Sequence, residues 1–142
     1  MNIVGAMIAG LFGTAVMTLL MALAPMMGMP KMNVIGMLGT MATADQGTAT
    51  AIGTVTHFVM GVIFAIIYAA LWSLGIGSPT ALSGVLFGLV HGLIAALAMP
   101  MMLRMHPRPP GMSAGPMMVT GLLVGHVAYG LVVALIYGQF VA

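Results

Sequence analysis

His126-Val-Ala-Tyr-Gly130, with Tyr137 seven residues further on, has an upstream counterpart in His57-Phe-Val-Met-Gly61 followed by Tyr68. In each copy a histidine, a glycine four residues later and a tyrosine eleven residues later fall on one helical stripe, with Phe64 or Val133 between them. The copies stand 69 residues apart. A second echo has an offset of 75: Leu11-Phe12-Gly13 precedes Pro25-Met26-Met27 as Leu86-Phe87-Gly88 precedes Pro100-Met101-Met102. The chain therefore reads as two related halves, each a pair of hydrophobic segments, and the six-residue difference is absorbed in the connection inside each half.

Composition says what surrounds these segments. Of 142 residues, 62% are hydrophobic and only 3% charged, and the mean hydropathy is +1.22. Four charged side chains cannot clothe a water-soluble globule of this length, whereas a chain dissolved in lipid needs no polar shell around its middle. The net charge of +2 comes from Lys31, Arg104 and Arg108 against Asp45, too few for a nucleic-acid footprint. The absence of cysteine excludes disulfides, thiolate metal sites and cysteine nucleophiles. Eighteen methionines remain to be explained. Methionine fills irregular gaps in a core, and its thioether is also a soft ligand for Cu(I).

Four apolar runs predict four transmembrane helices at about 3–24, 48–72, 81–102 and 117–140. In the first, Gly5, Ala9 and Gly13 form a strip of small residues for close helix contact, and Thr14 and Thr18 can bond back to their own helix. Pro25, Gly28 and Pro30 interrupt the pattern, and about 31–42 is expected to form a short interfacial piece. Tyr68 and Trp72, near the end of the second span, suit the headgroup belt. The segment from Ser73 to Thr80 is a tight turn, and Arg104 to Gly111 is a proline-stiffened basic loop. The fold expected is an all-α integral membrane four-helix bundle, 1–142 a single domain. Two tandem helical hairpins are related by a pseudo-two-fold axis along the membrane normal. The lysine and arginine bias puts both basic connections on the cytoplasmic side and both termini outside.

Counted from the expected cytoplasmic helix ends, His57, His91 and His126 all sit roughly 14–17 Å deep, near the bilayer centre. Ionisable groups there face a bundle interior and are by default candidates for function. Three readings stay open. The imidazoles are polar glue, bonded to partners such as Thr54, Thr56, Thr120 or Tyr129. They ligate a haem b or a metal, with Gly61, Gly88, Gly92, Gly125 and Gly130 leaving room for a flat macrocycle. Or they line a proton or solute path. A separate candidate, Met105, His106 and Met112 around the basic loop, has donors suited to Cu(I), although methionines such as Met17, Met21 and Met60 are dispersed through the spans. No span contains an acid, and no nucleophile pair suggests an enzyme; catalytic residues are expected to be none.

Ala9-Gly10-x-x-Gly13-Thr14 with Met17-Thr18, His57-Phe58-x-x-Gly61, Gly88 with Met99-Pro100, and Gly125-His126 with Tyr129-Gly130 resemble an uncharacterised family of small bacterial four-span membrane proteins known only as a domain of unknown function. The resemblance implies a bacterial inner-membrane location and no established activity. The functional expectation is a non-catalytic accessory or structural subunit in the lipid bilayer, packing in a larger membrane complex or a homo-oligomer. The alternatives are a histidine-ligated b-type haem electron carrier and a binder or transporter of Cu(I) or a small solute.

Overall fold

Residues 1–29, 31–111 and 115–142 are described by a computed structural model, and among them every regular element is helical. Helix α1 spans Ile3–Leu23, α2 Val34–Thr40, α3 Gln46–Ser73, α4 Ala81–Met105 and α5 Pro116–Gly138. Four of them, all but α2, are long and apolar enough to cross a membrane. The ends follow ordinary capping chemistry. Asn2, Asn33, Asp45 and Thr80 each accept a backbone N–H three residues on, and Pro116 opens α5 where its missing N–H costs nothing. Gly75 and Gly77 have φ of 84° and 78°, which lets the α3–α4 connection reverse within a few residues. Helix α4 runs through Pro100 to Met105, one turn beyond the expected boundary.

Among the four long helices the close pairs are α4 with α5, α1 with α5, and α1 with α3. Glycine brings the first pair together. A Cβ on Gly84 would meet the Gly130 backbone, and one on Gly88 would meet the His126 carbonyl. Between α1 and α3, Gly10 faces the backbone of Gly61 and Val62, and a Cβ on Gly61 would collide with Thr14 Oγ1. Thr14 and Thr18 do bond back, each 2.7 Å from a carbonyl one turn earlier.

Helices α3 and α4, consecutive in the chain, are not among the closely packed pairs. Side chains bridge them instead. Trp72 Nε1 donates to Ser83 Oγ at 2.9 Å, Tyr68 Oη and His91 Nδ1 share a hydrogen bond at 3.2 Å, and the Phe64 and His91 rings lie 4.0 Å apart. The α1–α5 and α4–α3 interfaces, which the expected two-fold would make alike, are thus unlike. The wider one leaves space inside the bundle.

The interior divides by chemistry. Towards the α3–α4 turn, Tyr68, Trp72, Tyr129, Val133 and Tyr137 form one buried cluster. Towards the basic connections, Met32, Met37, Ala96, Met99, Met118 and Leu122 form another. Tyr68 and Trp72 correct the sequence expectation: they are 4% and 7% exposed core residues, not headgroup anchors, because the gap between α3 and α4 has to be filled by large rings. Helix α2 also differs from a simple surface piece, since Met37, Gly39 and Thr40 are buried and it packs against α3.

Candidate functional site

Below the aromatic cluster the helices line a cavity of about 220 Å³ that opens between them. His57, His91 and His126, from three different helices, all line it. Methionines complete the wall. Helix α1 supplies Met17 and Met21, the α1–α3 connection Met32 and Met37, α3 Met60, and α4 Met99 and Met102. Seven methionines from separate segments of the sequence thus share one wall. The signal was present in α1, where Gly10, Gly13, Thr14 and Met17 share one buried stripe that Met21 extends. It was present in α3 too, where Met60 stands three residues after His57.

Each imidazole has a different hydrogen-bonding state. His126 Nδ1 lies 2.7 Å from the Leu122 carbonyl, which can only accept; that bond assigns the proton to Nδ1 and leaves Nε2 with its lone pair. Such a carbonyl contact orients and tautomerically fixes many metal-binding histidines. His91 engages Tyr68 through Nδ1, and its ring meets that of His126 edge to face with centroids 4.5 Å apart. His57 is 6% exposed, and its Nε2 is buried with no hydrogen-bond partner among the described residues. A polar atom stranded in this way is costly unless something else meets it.

Of the partners expected for a glue role, three are bonded to backbone carbonyls, while His91 does bond the tyrosine of a neighbouring helix, Tyr68. Thr54 Oγ1 bonds to the Thr50 carbonyl, Thr120 Oγ1 to the Pro116 carbonyl, and Tyr129 Oη to the Gly61 carbonyl. The glycines expected to leave room do permit close approach, but that room is taken by protein. Thr14 faces Gly61, the α5 backbone faces Gly88 and Gly92, and the α4 backbone faces Gly130. Among the described residues no three histidine or carboxylate side chains are grouped to hold a metal ion. Any metal here would need thioethers beside the imidazoles.

The basic-loop candidate has another role. His106 Nε2 donates to the Met37 carbonyl at 2.7 Å, and Nδ1 accepts the Arg108 backbone N–H at 3.0 Å, so both ring nitrogens are used. Met105 is 74% exposed whereas His106 is buried, and Met112 lies outside the described residues. Arg108 adds bonds from Nε to the Thr40 carbonyl at 2.8 Å and from Nη2 to the Met41 carbonyl at 3.2 Å. His106 and Arg108 together form a clasp that pins α2 beneath the cavity. Sequence spacing gives no hint of it, because the partners are 66 to 69 residues apart.

No curated protein and no solved structure matches the chain. The model of a family of unknown function, DUF6789, matches residues 1–142, and with four helices long and apolar enough to span a bilayer around this cavity, the chain belongs to that family.

Proposed function

We propose that this chain is a small, non-catalytic membrane protein that binds Cu(I) in the interior of its bundle. The observation that carries this reading is the common wall: all three intramembrane histidines and seven of the eighteen methionines face one cavity. Thioether sulfur and neutral imidazole suit a soft monovalent ion, and no carboxylate or cysteine stands among the lining residues to favour a hard cation or a thiolate site. His57 Nε2 and His126 Nε2 are the nitrogens available to it. Met17, whose side chain rests against Gly125 next to His126, and Met60, on the helix of His57, bring sulfur to the same wall.

Two competing readings ask for a different interior. A purely structural bundle would be expected to close its core and pair its buried polar atoms, since voids and unmet donors or acceptors both cost stability. A haem needs a wide flat slot, whereas this cavity lies below the range of about 300–1,000 Å³ common for small-molecule pockets, and the His91 and His126 rings touch.

The test is a titration of purified protein in detergent with Cu(I) held by a chromophoric chelator, with Ag(I) as a redox-inert check. One ion per chain is expected to leave the chelator for wild type and none for the H57L/H126L double variant. A small apolar molecule that co-purifies in the cavity, with no withdrawal of Cu(I), would replace this reading with solute binding.

A further inference from the structure

The two ends of the bundle are chemically unlike, and the difference bears on how an ion would reach the cavity. Of the methionines among the described residues, only Met1, Met7, Met17 and Met60 lie outside the end that carries the basic connections. Met1 and Met7 are exposed at the opposite end, and Met17 and Met60 belong to the cavity region itself. Several of the others lie progressively nearer the cavity. Met26 and Met27 are exposed just after α1; Met29 and Met32 both reach Gly121; Met32, Met99 and Met102 are already cavity wall. Thioethers in series let a soft ion pass from donor to donor without a return to water.

Towards the α3–α4 turn there is no such series. Tyr68 contacts the rings of Trp72, Phe87 and Tyr129, and Trp72 stacks on Tyr137 with centroids 5.7 Å apart. Every polar atom at the tips of these rings is occupied. Tyr129 Oη bonds to Gly61, Tyr68 Oη to His91, Trp72 Nε1 to Ser83, and Tyr137 Oη accepts the Asn2 N–H at 3.1 Å. The plug offers a cation no thioether and no free imidazole nitrogen. Sideways, the cavity's rim at Met60 and Ile94 faces outward to where acyl chains would lie, a path a cation avoids.

Building on the Cu(I) reading above, we infer that the ion reaches the His57–His126 site only from the end bearing the basic connections, along the methionine series and past α2, and leaves by the same way. The protein is a blind receptacle for Cu(I), not a conduit across the membrane. The His106–Arg108 clasp holds α2 over that approach, so its strength sets how fast the ion enters.

The natural absence of cysteine makes the test clean, because single cysteines can be placed in an otherwise thiol-free chain. M32C and M102C report the methionine approach and F87C the aromatic plug, with R104C and S78C marking the two membrane faces. Right-side-out and inside-out vesicles are treated with a membrane-impermeant cationic methanethiosulfonate. M32C and M102C are expected to react only from the face where R104C reacts, and F87C from neither. The clasp variant R108A should admit Ag(I) faster at unchanged affinity. Reaction of M32C or M102C from the S78C face, or of F87C from either, overturns the inference while leaving Cu(I) binding intact. Labelling from the R104C face alone, in cysteine variants of a protein that fails to withdraw Cu(I) from the chelator, removes the Cu(I) reading and this inference with it.

Discussion

Replacing His57 by leucine should stabilise the metal-free protein, an unusual direction for a change at a fully enclosed position. The imidazole is 6% exposed and its Nε2 has no partner among the described residues, whereas leucine is close in volume and has nothing to satisfy. Relieving one unmet buried polar atom is worth about 1–3 kcal/mol. A binding site accounts for the retention of the less stable residue, since stability is commonly given up where function needs an open donor. The ligand reverses the order. At about 100 times its Kd, an ion that binds only the folded wild type adds about 2.7 kcal/mol, enough to offset the deficit. Denaturant unfolding in detergent, followed by far-ultraviolet circular dichroism with and without Ag(I), reads both effects. H57L should be the more stable without Ag(I), and wild type should gain on it by about that amount with Ag(I). An H57L protein less stable than wild type in the absence of Ag(I), or equal gains for both with it, would refute the reasoning.

Other substitutions probe the frame around the site. G61A drives a methyl group into Thr14 Oγ1 at the α1–α3 contact and should cost about 1–3 kcal/mol, the usual penalty for overpacking; adding T14A should recover part of it in the same unfolding assay. R108K cannot reproduce two bonds to the Thr40 and Met41 carbonyls from one planar group, so limited proteolysis near α2 should quicken in R108K and more so in R108A, with the helix content of the bundle unchanged. Hydrogen bonds from Thr48, side chain first and backbone second, hold the Asp45 carboxyl below its ordinary value of 3.8. Because the folded-state value is the lower one, the contribution of this cap is complete above that pH and fades as the pH falls through the depressed value. D45N, which caps without titrating, should therefore flatten the acid limb of a stability-against-pH curve.

The sequence reading was strongest where physics is local. Four apolar runs and the residues that cap or break them put the helices within a few residues of where they lie, and the glycine-rich stripes lie where a Cβ at Gly61, Gly88, Gly92 or Gly130 would meet a neighbouring helix. His57, His91 and His126, which stand at similar distances from helix ends, line one cavity. What escaped depends on how helices are placed beside one another. Tyr68 and Trp72 sit where interfacial anchors are common, and only the separation of α3 from α4 turns them inward. His106 looked like a ligand beside Met105, yet its partners come from α2, far off in sequence. The methionine wall is drawn from several separate segments, each unremarkable alone.

X-ray absorption at the copper edge of the Cu(I)-loaded protein bears most directly on the site itself. Mixed coordination by thioether sulfur and imidazole nitrogen is expected for wild type, with the nitrogen contribution reduced in H57L and the sulfur contribution reduced when Met17 and Met60 are replaced by leucine. A shell of oxygen alone, or a spectrum that none of these changes alters, would contradict a copper site in this cavity.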